Sequence, residues 1–287
     1  WTISHRNFDI GNYPEAERYI GEANRMYEER GDKRNIGVTS ERLGVLAKNQ
    51  GDMEKALVFF ERYRELAEEL VKANPDSEDL KNLLAISYFK LGDIYQAQGK
   101  IDEALAFFEK DLKLTEELYA ANPRSENLKN GLAVSYFKLG DIYQAQGKVD
   151  EALAFFQKYN QLREELYAAN PRSEDLKNGL AISYFKLGDI YQAQGKMDEA
   201  LAFFQKYNQL REELYAANPR SERLGVGLGI SYIKLAEWHE AQNNSAQALH
   251  FYRKGLALYE QWHAVTRRPD VGGWIEEVRK RIAALEG

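Results

Sequence analysis

The sequence predicts an all-α protein built as a stack of antiparallel helix pairs, and three observations predict it. The pentapeptide Asn-Pro-Arg-Ser-Glu begins at Asn122 and again at Asn170, with related copies opening at Asn74 and Asn218, a step of 48 residues each time. A fixed period of this size marks supersecondary units that pack on their neighbours rather than one globular core with a pocket. Helix formers dominate the composition, and four of the six prolines fall in these Asn-Pro pairs, at the edges of segments instead of inside them. Within each period, apolar residues recur at spacings of three and four, as on one face of a helix.

The unit from Asn122 to Ala169 justifies each element. Asn122-Pro123 cannot sit inside a helix. Ser125 is a good N-cap, with Glu126 in the first turn, where the helix dipole favours an acid. A helical pattern runs from there to Gln146. Gly147-Lys148 breaks it, since glycine readily takes the left-handed conformation that ends a helix. Asp150 is expected to cap a second helix that runs to Ala169. Connections this short force the two helices antiparallel. On the first helix, Leu132, Tyr136, Leu139, Gly140 and Tyr143 form one stripe. Val134 and Phe137 start a second, which turns polar at Asp141 and Gln144. A helix apolar on two sides is sandwiched, as stacking requires. Gly140 is expected to face Ala152 on the second helix, with Phe156 filling the space beside them.

These residues carry a resemblance. Tyr88-Phe89-Lys90-Leu91-Gly92-Asp93-Ile94-Tyr95, followed by Gly99, Ala104 and Phe108, resembles the tetratricopeptide repeat, whose pattern is an aromatic, Leu-Gly, Tyr, then Ala and Phe on the second helix. The same columns hold Tyr136, Leu139, Gly140, Tyr143, Ala152 and Phe156, then Tyr184, Leu187, Gly188, Tyr191, Ala200 and Phe204. Partial copies carry Leu43, Gly44, Ala56 and Phe60 upstream, and Tyr232, Leu235, Ala236, Ala248 and Tyr252 downstream. The usual unit is about 34 residues, so each central unit is longer by 48 − 34 = 14, about two turns per helix. Asp111, Tyr159 and Tyr207 replace small residues near the end of the pattern. The resemblance implies a right-handed superhelical solenoid of elongated helix pairs.

The expected organisation is one repeat array over residues 1–287: a truncated first unit (1–33), a second (34–73), near-identical units at 74–121, 122–169 and 170–217, a last unit (218–268) and a capping helix (269–287). Trp1 to about Phe8 would be the shortened first helix of the truncated unit, with a turn at Gly11-Asn12 and a second helix after it. The chain is therefore expected to begin inside a repeat, either as a fragment of a longer protein or with its first helix disordered at the start. Asp270 is expected to cap Val271–Leu285, with Trp274, Ile275, Val278, Ile282 and Leu285 on one stripe covering the last apolar face.

Composition excludes several classes. A net charge of −6 argues against a general binder of nucleic-acid backbones. No apolar run is long enough for a membrane helix, and the first residues have no signal-peptide core, so a cytoplasmic protein without membrane attachment is expected. With no cysteine, disulfides and thiolate metal sites are excluded. His239-Glu240 resembles the start of a zinc-binding helix, but Asn243 stands where the second histidine belongs. His5, His250 and His263 show no ligand spacing. Gly225-Val226-Gly227-Leu228-Gly229 follows no strand and falls inside a first helix, so it is not a nucleotide loop. Gly131, Gly179 and Gly227 share a column that suggests close helix packing. No catalytic residue, metal or cofactor is expected.

The functional expectation is a scaffold or sensor arm that binds a protein or peptide. In the tetratricopeptide repeat, a stripe just off the packing face lines an inner groove. Here the resemblance places in it Ile86, Phe89, Asp93 and Gln96, then Val134, Phe137, Asp141 and Gln144, then Ile182, Phe185, Asp189 and Gln192, and finally Ile230, Ile233, Glu237 and Glu240. The phenylalanines could take apolar side chains of a peptide, with the acids and glutamines bonding its backbone. The competing expectation is that each Phe packs between neighbouring first helices, while each Asp pairs with Lys90, Lys138 or Lys186 three residues earlier. The family's carboxylate clamp uses Lys and Asn in columns that hold Phe89 and Asp93 here, which disfavours that ligand class. Near-identical central units cannot discriminate among ligand positions, so selectivity is expected towards the ends. Trp238, His239, Glu240, Trp262 and Trp274 make the C-terminal end chemically richest. The alternatives are a regulatory segment of a larger bacterial signalling or defence protein, fused to a protease or nucleotide-switch ATPase, and a structural spacer or self-associating array.

Overall fold

A computed structural model describes residues 13–287, so the expected helix at Trp1–Phe8 and the turn at Gly11-Asn12 lie outside the described residues. All regular structure within them is α-helical, in twelve helices. A lone helix, α1 (Tyr13–Arg30), is followed by α2 (Lys33–Asn49) paired with α3 (Met53–Ala73), α4 (Glu78–Ala97) paired with α5 (Ile101–Ala121), then α6 (Glu126–Ala145) and α7 (Val149–Ala169) in sequence, α8 (Glu174–Ala193) paired with α9 (Met197–Ala217), and α10 (Glu222–Ala241) paired with α11 (Ser245–Thr266). Helix α12 (Pro269–Glu286) follows. The chain forms two compact units, the first ending at Ile142 and the second starting at Tyr143. In the first unit, consecutive helices from α1 to α5 pack on one another; in the second, those from α7 to α12 do the same.

Local chemistry sets the helix ends. Ser77, Ser125, Ser173 and Ser221 each accept a bond from the backbone N–H three residues on, at 3.3–3.4 Å, satisfying one orphan donor of the first turn. The turns within pairs close on Gly51, Gly99, Gly147 and Gly195, all at positive φ between 73° and 83°. One expectation is corrected here. Helix α7 begins at Val149, after Lys148, which makes no side-chain cap, and Asp150 sits in the first turn. The Lys148 N–H bonds back to the Tyr143 carbonyl at 2.9 Å, which closes the turn so tightly that the helix starts before the aspartate. Asp150 therefore acts on the helix dipole rather than as a cap. Asp270 is likewise a first-turn residue, because Pro269 takes the first position of α12.

The pairs α2–α3, α4–α5 and α8–α9 are each closed by a glycine against a phenylalanine. A methyl group on Gly92 would stand 2.6 Å from Phe108 Cε1; on Gly44 it would stand 2.5 Å from Phe60, and on Gly188 2.5 Å from Phe204. Phe60, Phe108, Phe156 and Phe204 are all fully buried, as are Ala56, Ala104, Ala152 and Ala200 one turn before them. The second unit ends on a different version of the same idea. In α10, Gly225 and Gly229 lie against Trp262 and Tyr259 of α11, with contacts that no side chain could share. The glycine run is thus a landing strip for aromatic rings. Trp274 departs from the expected apolar stripe of α12: it is 37% exposed, although its ring touches that of Tyr259 at 5.5 Å, while Val271, Ile275 and Val278 form the buried face.

Successive pairs are joined on one side by tyrosine. The hydroxyls of Tyr88, Tyr184 and Tyr232 donate to Glu68, Glu164 and Glu212, and that of Tyr136 to Glu116, always 20 residues back on the preceding second helix. Burial, then the carboxylate partner, raises the Tyr88 hydroxyl to about 12, so these bonds persist through the neutral range. The glycine column at 131, 179 and 227 is not uniform. Gly179 and Gly227 pack against Arg163 and Arg211 at 3.2 Å, as expected, whereas nothing lies within 4 Å of the corresponding point on Gly131.

The two kinds of helical glycine predict opposite outcomes. Gly92→Ala should lower stability by about 1–3 kcal/mol, because Phe108 must leave its rotamer. Gly131→Ala should raise it by about 0.5–1 kcal/mol through helix propensity. Urea unfolding of both variants beside the parent measures this, and a destabilised Gly131→Ala would show hidden crowding there.

Candidate functional site: a stripe along the first helices

The spacing of the candidate residues puts them on one face of each first helix. Ile86, Phe89, Asp93 and Gln96 lie on α4; Val134, Phe137, Asp141 and Gln144 on α6; Ile182, Phe185, Asp189 and Gln192 on α8; Ile230, Ile233, Glu237 and Glu240 on α10. All sixteen are half-buried. None is in the sealed interior with Phe108 or Leu91, and none stands free in solvent.

In the first unit the stripe is held by an ion-pair seam that crosses repeats. The Lys138 ammonium lies 2.6 Å from Asp93 Oδ1, and Lys48 reaches Oδ2 of the same carboxylate at 3.4 Å. Lys138 also donates to Gln96 Oε1 at 3.5 Å and sits 5.6 Å from the Phe89 ring centre and 5.7 Å from that of Phe108. Phe89 itself meets Phe108 edge-on, at 5.9 Å. The expected pairing of Asp93 with Lys90, three residues earlier, is therefore corrected: Lys90 turns back to Glu41 of α2, at 2.7 Å. Lysines of this column reach sideways to the acid of the preceding first helix, as Lys138 does to Asp93 and Lys234 to Asp189.

The second unit repeats the arrangement. Lys234 pairs with Asp189 at 3.0 Å and with Glu237 at 3.6 Å, and it covers Phe185 and Phe204 at 5.5 and 5.8 Å. Burial pulls this ammonium down, but the two carboxylates outweigh it and hold Lys234 above the ordinary lysine range. Phe185 rests on Tyr207, with ring centres 5.3 Å apart. Glu240 differs from Gln96 and Gln192 in its column. It accepts from the Tyr252 hydroxyl and from Arg281 Nη1 at 3.2 Å, which ties α12 to the last pair.

The chemically rich C-terminal residues also do structural work. Trp238 Nε1 donates to the Met197 carbonyl at 2.8 Å. His239 takes the column of Tyr95, Tyr143 and Tyr191 and stacks on Phe251 at 5.6 Å, as those tyrosines stack on Phe107, Phe155 and Phe203. Burial holds its imidazole below the ordinary histidine range. Trp262 is buried against Gly225. A cleft of about 530 Å³ separates α11 from α12, lined by Glu260, His263, Pro269, Gly272 and Arg279, but an ion pair between Glu260 and Arg279 spans it. Among the described residues, no three His, Asp or Glu side chains are grouped to hold a metal, and no helix is long and apolar enough to cross a membrane.

With this geometry in view, the tetratricopeptide repeat profile matches residues 83–165, 131–213 and 180–261, more than half of the sequence. The chain belongs to the tetratricopeptide repeat family. Repeats of this family typically bind proteins or peptides and are generally non-catalytic. No curated protein matches the chain. Among solved structures, it is similar to BtubC (BKLC) from P. vanneervenii, at 20% identity over 87% of this chain and 90% of that one, with a TM-score of 0.67. It is also similar to a putative kinesin light chain from Podosopora anserina with nearly identical TPR-like repeats (21% identity, 80% and 96% coverage, TM-score 0.56). A third likeness is to the signal transduction ATPase PH0952 from Pyrococcus horikoshii, which has a tetratricopeptide repeat sensor (16% identity, TM-score 0.66); it covers 96% of this chain but 37% of that one. At these identities, the likenesses establish the fold.

Asp93 and Lys138 are only 18% and 21% exposed, so their attraction is weakly screened. A double-mutant cycle with Asp93→Asn and Lys138→Met should give a coupling of about 1 kcal/mol that shrinks little in 0.5 M salt. A coupling near zero would remove the seam as a stabilising feature.

Proposed function

We propose that the chain is a protein- or peptide-binding scaffold whose recognition surface is the half-buried stripe along the first helices of each unit. The observation that supports this is the incomplete burial of Phe89 and Phe185 beside the sealed Phe108 and Phe204. Their rings are steadied by Lys138 and Lys234, yet keep an edge open to solvent. A rigid, partly exposed aromatic flanked by Ile86 or Ile182 and by a glutamine suits an apolar side chain on a peptide whose backbone needs hydrogen bonds. Asp93 and Asp189 already hold lysines, so they position the surface, and the direct polar contacts fall to Gln96 and Gln192.

A second reading makes the array a sensor segment of a larger signalling protein. The likeness to the tetratricopeptide sensor of the P. horikoshii ATPase supports it at the level of fold. An effector domain encoded beside this chain would favour that reading, and a gene coding for the array alone would remove it.

Selection of a displayed random-peptide library on the intact chain tests the stripe. Peptides recovered should be rich in apolar residues and should lose at least about tenfold in affinity on Phe89→Ala with Phe185→Ala. Because these rings are only half-buried, each replacement should cost about 1–2 kcal/mol of stability, below the 3–5 kcal/mol of a fully buried phenylalanine. Selected peptides that bind the folded double variant unchanged would place recognition elsewhere.

A further inference from the structure

The near-perfect repetition fails at one buried joint. In the second unit, Tyr207 of α9 donates its hydroxyl to the Gly227 carbonyl at 3.3 Å, and the Arg211 guanidinium lies over the Tyr207 ring at 5.1 Å. Arg211 is buried, packs on Gly227 and donates from Nη1 to Asn178 Oδ1 at 2.7 Å. Two repeats earlier, 96 positions back in the sequence, the same places hold Asp111, Gly131, Thr115 and Asn82. A carboxylate stands where the tyrosine was, and no arginine is present.

At this joint the short Thr115 stands in the arginine's place, its Oγ1 3.3 Å from Ser135 Oγ, and it brings no positive charge to the carboxylate. Asp111 is 3% exposed; its Oδ2 accepts from Ser135 at 2.7 Å, and its other oxygen has no partner among the described residues. The Asn82 side chain, whose counterpart holds Arg211, is exposed and likewise has no partner among them. Gly131 has kept its missing side chain although nothing of this chain lies within 4 Å of that point, and it is half-exposed where Gly227 is buried. Ser135 Oγ donates to Asp111 and lies 3.2 Å from the Gly131 carbonyl, so the open space over Gly131 adjoins the carboxylate.

We propose that Asp111, Asn82 and the open face of Gly131 form a binding site for a guanidinium group supplied from outside the chain. The planar fork of donors can bond a carboxylate and an amide oxygen together, and Arg211 shows the amide half of that arrangement with Asn178. Burial raises the Asp111 carboxyl to about 7, with only the Ser135 bond opposing it, so this carboxylate lacks a counter-charge that a guanidinium would provide. The site is independent of the first-helix stripe, and the failure of either leaves the other standing.

The guanidinium could belong to an arginine of a partner or to a free small molecule, and two probes separate these. Calorimetric titration of the full chain with agmatine and with a capped Gly-Arg-Gly peptide should give saturable binding of at least one, with butylamine binding more weakly. Preference for the peptide identifies a partner's arginine; preference for agmatine identifies a free ligand. Asp111→Asn, which keeps an acceptor for Ser135, should weaken binding by roughly tenfold or more. Thr115→Arg should supply the cation internally, abolish probe binding and raise the melting temperature. Absence of binding by both probes, or binding that Asp111→Asn leaves unchanged, overturns the proposal.

Discussion

The contact between a helical glycine and a phenylalanine of the partner helix is the constraint on which the rest depends. Gly44, Gly92 and Gly188 each present bare backbone to Phe60, Phe108 and Phe204, at distances that leave no room for a methyl group. The ring fills the volume that a side chain would take, so the two helices approach closely without a void. Because the phenylalanine is sealed, the neighbouring column is released from core duty. Phe89 then leans on the closed Phe108 ring and Phe185 on Tyr207, and both stay half-buried. The recognition surface is a by-product of how tightly the pair beneath it is shut.

Two seams then connect one pair to the next, and they use different chemistry. Tyrosine hydroxyls and glutamates join α4, α6, α8 and α10 to the second helix before each. Lysine and aspartate join first helices to each other, with the ammonium also facing two aromatic rings. The ionic seam runs through the same stripe that is proposed to meet a ligand. A charged partner would compete with it, whereas an apolar side chain beside a glutamine would not. This is why Gln96 and Gln192, more than Asp93 and Asp189, are the polar contacts of choice.

Much of this was legible in the sequence, for a physical reason. The 48-residue period, the serine caps and the turn glycines are local signals, each fixed by a few adjacent residues. The glycine–phenylalanine contact was legible too, because Gly92 and Phe108, and Gly188 and Phe204, recur in register. What escaped was whatever spans repeats. Lys138 lies 45 positions after Asp93, and spacing along one helix pointed instead to Lys90. Asp150 and Asp270 looked like caps because the pattern of a cap is short, while the turn closure and the proline that displaced them are set by backbone geometry. Asp111 stood out as a departure from the family pattern, but its burial and the space over Gly131 only the packing of α5 on α6 could supply.

The most direct test of the central constraint is the energetic coupling between its two partners. If the glycine exists to admit the ring, shrinking the ring must make room for a side chain. Gly92→Ala should be far less destabilising when Phe108 is already leucine, with a favourable coupling of about 1 kcal/mol or more in a double-mutant cycle. Strictly additive losses would contradict the account, because they would mean that the glycine serves the backbone and not the phenylalanine.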